Sequence, residues 1–142
     1  MIYVGFQGIG KTSIAGKNNC IDLDNNLFRV DGKKSSDWCK VYCNIAENLS
    51  NQGYKVFLSC GTIIREELKN RNIDFITITP SIKLKNEWIK KLENRYNTTH
   101  LEKDLRSLCL AQDFYEYAVQ DLLKEKNVII IDDINYNLED KI

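Results

Sequence analysis

Eight residues constrain this chain more than any others: Gly5-Phe6-Gln7-Gly8-Ile9-Gly10-Lys11-Thr12, which carry the full pattern Gly-x-x-x-x-Gly-Lys-Thr. They follow the apolar run Met1 to Val4 and open toward a helix, the strand–loop–helix context in which such a loop wraps a phosphate chain. Glycines let the backbone turn its N–H groups inward, and a helix start adds a favourable dipole. Gly5, Gln7, Gly8, Ile9, Gly10, Lys11, Thr12 and Ser13 are therefore expected to bind the phosphates of ATP. Lys11 is expected to reach the β- and γ-phosphates, and the Thr12 hydroxyl to ligate Mg²⁺. Gly16, Asn18 and Asn19 are poor helix formers close behind, so the helix should last barely two turns.

The rest of the chain alternates strand and helix signals. Ile21 to Asp24 reads as a short second strand. From Ser36 to about Gln52, Trp38, Val41, Tyr42, Ile45, Ala46 and Leu49 recur at helical spacing, and Gly53 stops the run. Tyr54–Cys60 and Ile73–Thr79 read as strands, with a helix over Thr62–Arg71 between them. Ser81–Tyr96 reads as a helix, Asn97–His100 as a polar hinge, and Thr99-x-x-Glu102 as a capping box opening a helix that runs to about Lys126. Val128–Ile131 closes the set as a fifth strand. The alternation implies an α/β fold with three layers, α/β/α, around a five-stranded parallel sheet in the order 2-3-1-4-5. One domain spanning residues 1–142 is expected, with residues 84–106 as a lid.

Composition excludes several classes. Twenty basic and twenty acidic side chains cancel, so no broad field for nucleic acid or a membrane is implied. No apolar run approaches a membrane span, and no charged segment with a following apolar stretch suggests secretion, so the expectation is a cytoplasmic protein. The five cysteines are odd in number and scattered among apolar neighbours, which fits reduced thiols. Cys39 and Cys43 are spaced for a metal pair, but the single histidine, His100, is distant.

Taken with the loop, three further segments resemble the nucleoside-monophosphate-kinase-like group of P-loop kinases, which includes the adenylate, shikimate and gluconate kinases. The chain looks most like the small nucleotide-kinase-like proteins encoded by phages and prophages. The first segment is Ile21-Asp22-Leu23-Asp24-Asn25-Asn26-Leu27-Phe28, similar to the acidic second-strand segment of those kinases. The resemblance implies that Asp22 assists Mg²⁺ through water and that Asp24 orients or deprotonates the acceptor. A strand puts residues two apart on one face, so both carboxylates can share a cleft. The second is Glu87–Arg95, similar to the lid, which implies Lys91 and Arg95 as cations over the transferring phosphoryl group, with Arg106 a further candidate. The third is Arg29, Lys33 and Lys34, together with Arg65, at positions where such kinases hold an acceptor phosphate.

The implied activity is transfer of the γ-phosphoryl group of Mg·ATP to a small-molecule acceptor, above all a nucleoside or deoxynucleoside monophosphate, by a monomer or homodimer. The pattern departs from the group at Leu58-Ser59-Cys60-Gly61, where the third strand ends without an acidic residue. Metal positioning would then rest on Thr12 and Asp22. Two other readings remain. Ile129-Ile130-Ile131-Asp132-Asp133 resembles a strand ending in the paired acids of an ATPase switch, and a nucleotide-binding factor without catalysis would share the loop.

Overall fold

The apolar run before the loop forms β1 (Ile2–Gly5), buried along its whole length, as the middle strand of an all-parallel sheet must be. The computed structural model describes residues 1–142. β1 lies between β5 (Lys55–Ser59) and β6 (Phe75–Pro80), and the edges are β2 (Cys20–Asp22) and β7 (Val128–Ile131), all parallel. The order along the sheet is β2-β5-β1-β6-β7. It differs from the expected 2-3-1-4-5 by two strands that had not been anticipated, β3 (Arg29–Val30) and β4 (Lys33–Lys34). They form a separate antiparallel hairpin. Two-residue strands are too short to show a hydrophobic period, and their one mark in the sequence is the Asp31-Gly32 turn, with both residues at positive φ.

Alternation along the strands divides the core between the two faces of the sheet. Ile2 and Val4 point with Val56 and Leu58 to one side, where α2 (Trp38–Asn51) and α3 (Thr62–Asn70) pack through Tyr42, Ala46, Ile64 and Leu68. Tyr3, Phe57 and Ile78 belong to the other side, under α4 (Lys85–Thr99) and α5 (Glu102–Leu123). Two cores on opposite faces of one sheet make the three layers.

Several local expectations shift. The helix after the loop, α1 (Lys11–Ile14), is a single turn, ended by left-handed Gly16 and followed by left-handed Asn18 and Asn19. On α2 the buried face is Cys39, Tyr42, Cys43 and Ala46, while Val41 and Ile45 are exposed. On that face the Tyr42 hydroxyl donates to Leu23 O at 2.6 Å and accepts from Ser59 N at 3.2 Å. The capping box does not form: α5 starts after Leu101, and Thr99 Oγ1 instead accepts from Leu101 N and donates to Asp104. The break between α4 and α5 falls at left-handed His100, three residues beyond the start of the expected hinge. The first half of the expected lid is built into the core, with Trp88 and Leu92 fully buried. No helix is long and apolar enough to cross a membrane.

Candidate functional site

The loop leaves β1 at the centre of the sheet and must reverse within five residues to start α1. Gly8 and Gly10 make the reversal at φ +84° and +100°, a region that L side chains rarely enter. Gly8 is also confined by packing, since a Cβ there would lie 2.9 Å from Leu92 Cδ2. No carbonyl or side chain of the protein accepts from the amides of Gly8, Gly10, Lys11 or Thr12. Four donors left open at a helix start are what an anion requires.

These residues form one wall of a cleft of about 340 Å³. Within it Lys11 Nζ donates to Gly5 O at 3.1 Å, reaching back along its own loop. Burial pushes the Lys11 ammonium below its ordinary range, and the Cys60 thiol and Asp22 pull the other way. Thr12 Oγ1 donates to Asp22 Oδ2 at 3.0 Å, so the loop hydroxyl and the β2 carboxylate meet as expected. Tyr42 holds the carbonyl of Leu23, between Asp22 and Asp24, and thereby braces both acids from beneath. Asp24 Oδ1 caps the turn at Asn25–Phe28 by accepting from Asn26 N at 2.9 Å and Asn26 Nδ2 at 2.8 Å. Its Oδ2 stands 3.8 Å from Lys103 Nζ.

The opposite wall is cationic. Asn26 Oδ1 accepts from Arg106 at 2.8 Å and from Arg29 Nε at 3.4 Å, drawing two guanidinium groups onto one oxygen. Lys34 shares this wall, and its ammonium is pushed down by burial and then by the Arg29 and Arg106 charges. Arg95 Nε pairs with Asp104 Oδ1 at 3.0 Å, which leaves its two terminal nitrogens without a partner. Six basic and three acidic side chains line the cleft, in a chain whose twenty basic and twenty acidic side chains balance overall. The positive charge is concentrated where an anion would enter.

A second groove of about 610 Å³ lies on the other side of the loop. Gly8, Ile9, Gly10, Thr12 and Arg95 line both spaces, so the loop and Arg95 form the ridge between them. Ser13, Lys17, Asn137 and Glu139 belong to the outer groove alone.

Of the residues singled out in the sequence, Gly5, Gln7, Gly8, Ile9, Gly10, Lys11, Thr12, Asp22, Asp24, Arg29 and Arg95 come together in the cleft. Four do not. Ser13 lines the outer groove, and Lys33 lies outside the cleft while its neighbour Lys34 lines it. Lys91 is in the outer groove, stacked on the Trp88 and Tyr136 rings at 4.4 and 4.8 Å. Burial and then the Arg95 charge lower it to about 8, although the two aromatic faces favour its ammonium form. Arg65 is 5% exposed and closed by partners: it donates to Cys60 O, Thr62 Oγ1, Asp121 and Glu125. It ties α3 to α5. Sequence reasoning missed Lys103 and gave Asn26 no role, while Lys34 and Arg106, both named there, line the cleft. The spacing Lys103-Arg106-Ser107-Leu110 along one face of α5 was the signal available.

Asp132 and Asp133 follow the edge strand β7, which β6 separates from β1, and line another surface groove. They are remote from the loop that paired ATPase acids would serve. No group of three or more His, Cys, Asp or Glu side chains is arranged to hold a metal ion. The Thr12–Asp22 pair fits magnesium, a hard cation that takes one or two protein oxygens and fills its octahedron with water and phosphate oxygens. No protein-family model and no curated protein matches the chain, so the case for function rests on the site itself.

Proposed function

We propose that the chain is a P-loop phosphotransferase of the nucleoside-monophosphate-kinase-like group, which moves the γ-phosphoryl group of Mg·ATP to a small anionic acceptor. One observation carries this reading: four open loop amides, Lys11 and the Thr12–Asp22 pair face across one cleft to a second cationic wall. A protein that only stored or hydrolysed a nucleotide needs the first wall alone. The second wall is where a negatively charged acceptor would be held, by Arg29, Lys34 and Arg106.

In this mechanism the triphosphate lies on the loop, with its nucleoside end toward the outer groove. Magnesium, held by Thr12 and by Asp22 through water, would neutralise charge on the transferring group. Lys11 and the loop amides stabilise the β- and γ-phosphate oxygens, and Arg95 bears on the same charge from above. An acceptor oxygen bonds to the γ-phosphorus as the bond to the β–γ bridging oxygen breaks, and ADP leaves with that electron pair. Asp24 Oδ2 orients the acceptor and, where the acceptor is a hydroxyl, takes its proton. A nucleoside or deoxynucleoside monophosphate fits an anionic end on the arginine wall.

The test is a coupled ADP-release screen of nucleoside monophosphates and small phosphorylated or carboxylated hydroxy compounds, with Lys11→Ala as control. ADP release that depends on one anionic acceptor supports the proposal. Calorimetry showing the wild-type chain indifferent to both Mg·ATP and Mg·GTP would refute it. Acceptor-independent hydrolysis would favour the ATPase reading, and ATP binding without turnover would favour a binding factor.

A further inference from the structure

The loop's carbonyls are as specifically held as its amides are open. Trp88 Nε1 donates to Gln7 O at 2.7 Å, and the Tyr136 hydroxyl meets Ile9 O at 2.8 Å and Gly8 O at 3.4 Å. The two rings stack at 6.0 Å and 9°. Lys91 lies over both and donates to the Tyr136 oxygen at 3.1 Å. Three carbonyls in succession thus find partners on α4 and on the segment after β7.

Peptide geometry links these contacts to the ligand side. In a trans peptide the C=O and the following N–H point in opposite directions, and no peptide here is cis. Fixing Gln7 O outward therefore fixes the Gly8 N–H inward, and fixing Ile9 O does the same for the Gly10 N–H. Those two amides are among the four left open. They belong to the residues with the least intrinsic backbone preference, which need external restraint. An ammonium only donates, so Lys91 leaves the single Tyr136 hydrogen no use but the loop.

We propose that Trp88 and Tyr136 are positioning residues, which aim the Gly8 and Gly10 amides at a phosphate chain by gripping the opposite side of the loop, with Lys91 fixing the direction of the Tyr136 bond. The consequence for ligands rests on the nucleotide reading above; the restraint on the loop does not.

Two measurements separate those claims. Amide hydrogen exchange, without ligand, should be about tenfold faster at Ile9, whose N–H donates to Phe6 O within the loop, in Tyr136→Phe than in wild type, with the melting temperature nearly kept because the ring remains. Calorimetry with Mg·ATP and with magnesium tripolyphosphate should show both binding about five- to tenfold more weakly to the variant, since the defect lies in the loop. Lys91→Met should reproduce part of both losses, and Lys91→Arg, which keeps a cationic donor over the rings, should restore them. Unchanged exchange in Tyr136→Phe overturns the brace. Weaker ATP binding with unaltered tripolyphosphate binding also overturns it, because Tyr136 would then act on the nucleoside. A wild-type chain that binds neither ligand refutes the nucleotide reading, while the exchange rates still decide the brace.

Discussion

Arg65 and Arg106 both sit on charge-rich helices at the C-terminal side of the sheet, yet they are satisfied in opposite ways. Arg65 spends its guanidinium on two acids, a carbonyl and a hydroxyl, with Glu125 itself only 7% exposed. Arg106 is held by an amide oxygen and by the exposed Glu102, and it faces a cleft with a surplus of positive charge. Closed charge of the first kind holds elements together, because removing one partner strands the other in a poor solvent. Charge gathered without full compensation, as on the Arg29–Lys34–Arg106 wall, is costly until an anion arrives. The contrast separates fold from function where residue type does not.

The contrast can be broken most decisively at the loop. Lys11→Ala is expected to lower phosphoryl transfer by at least about a thousandfold while leaving the melting temperature unchanged or higher, since the ammonium is already penalised by burial. A variant that keeps turnover would remove the cleft from consideration. Arg65→Met should cost about 3 to 5 kcal/mol in urea unfolding, with the acceptor KM unchanged in the folded protein. A loss under about 1 kcal/mol together with a raised acceptor KM would return Arg65 to the site.

Asp24→Asn offers a cleaner separation, because asparagine keeps the cap at Asn26 while losing the charge. Turnover should fall about a hundredfold with Mg·ATP affinity within about twofold. Equal falls in both would make Asp24 a binding residue. Arg106→Gln should raise the acceptor KM about tenfold and spare kcat. The smallest effect is expected for Lys33→Ala, which should leave kinetics at wild-type values while Lys34→Ala raises the acceptor KM; reversed behaviour would mean the hairpin is turned the other way.

How far the sequence reveals this site follows from how local each part is. The loop is legible because its requirements fall within eight consecutive residues, whereas alternation along a strand does not account for Asp24, since β2 ends at Asp22 and Asp24 caps the turn that follows. Arg65 was misread because the acids that close it, Asp121 and Glu125, lie 56 and 60 residues away. Lys33 and Lys34 could not be told apart because a hairpin of two-residue strands leaves no pattern to say which lysine faces inward. Asn26 carries no charge and belongs to no motif, yet it gathers the arginines of two distant segments. The three-layer architecture was legible from alternation over the whole chain, and the exact face of α2 was not, because the partners of the Tyr42 hydroxyl, Leu23 O and Ser59 N, lie on other segments.

The grip of Tyr136 on Ile9 spans 127 residues, and that separation sets a schedule for the protein's birth. At ribosomal speeds of about 5–20 residues per second, the glycine loop is made roughly 6 to 25 seconds before the tyrosine that steadies it. During that interval the nascent chain holds the motif without its backing.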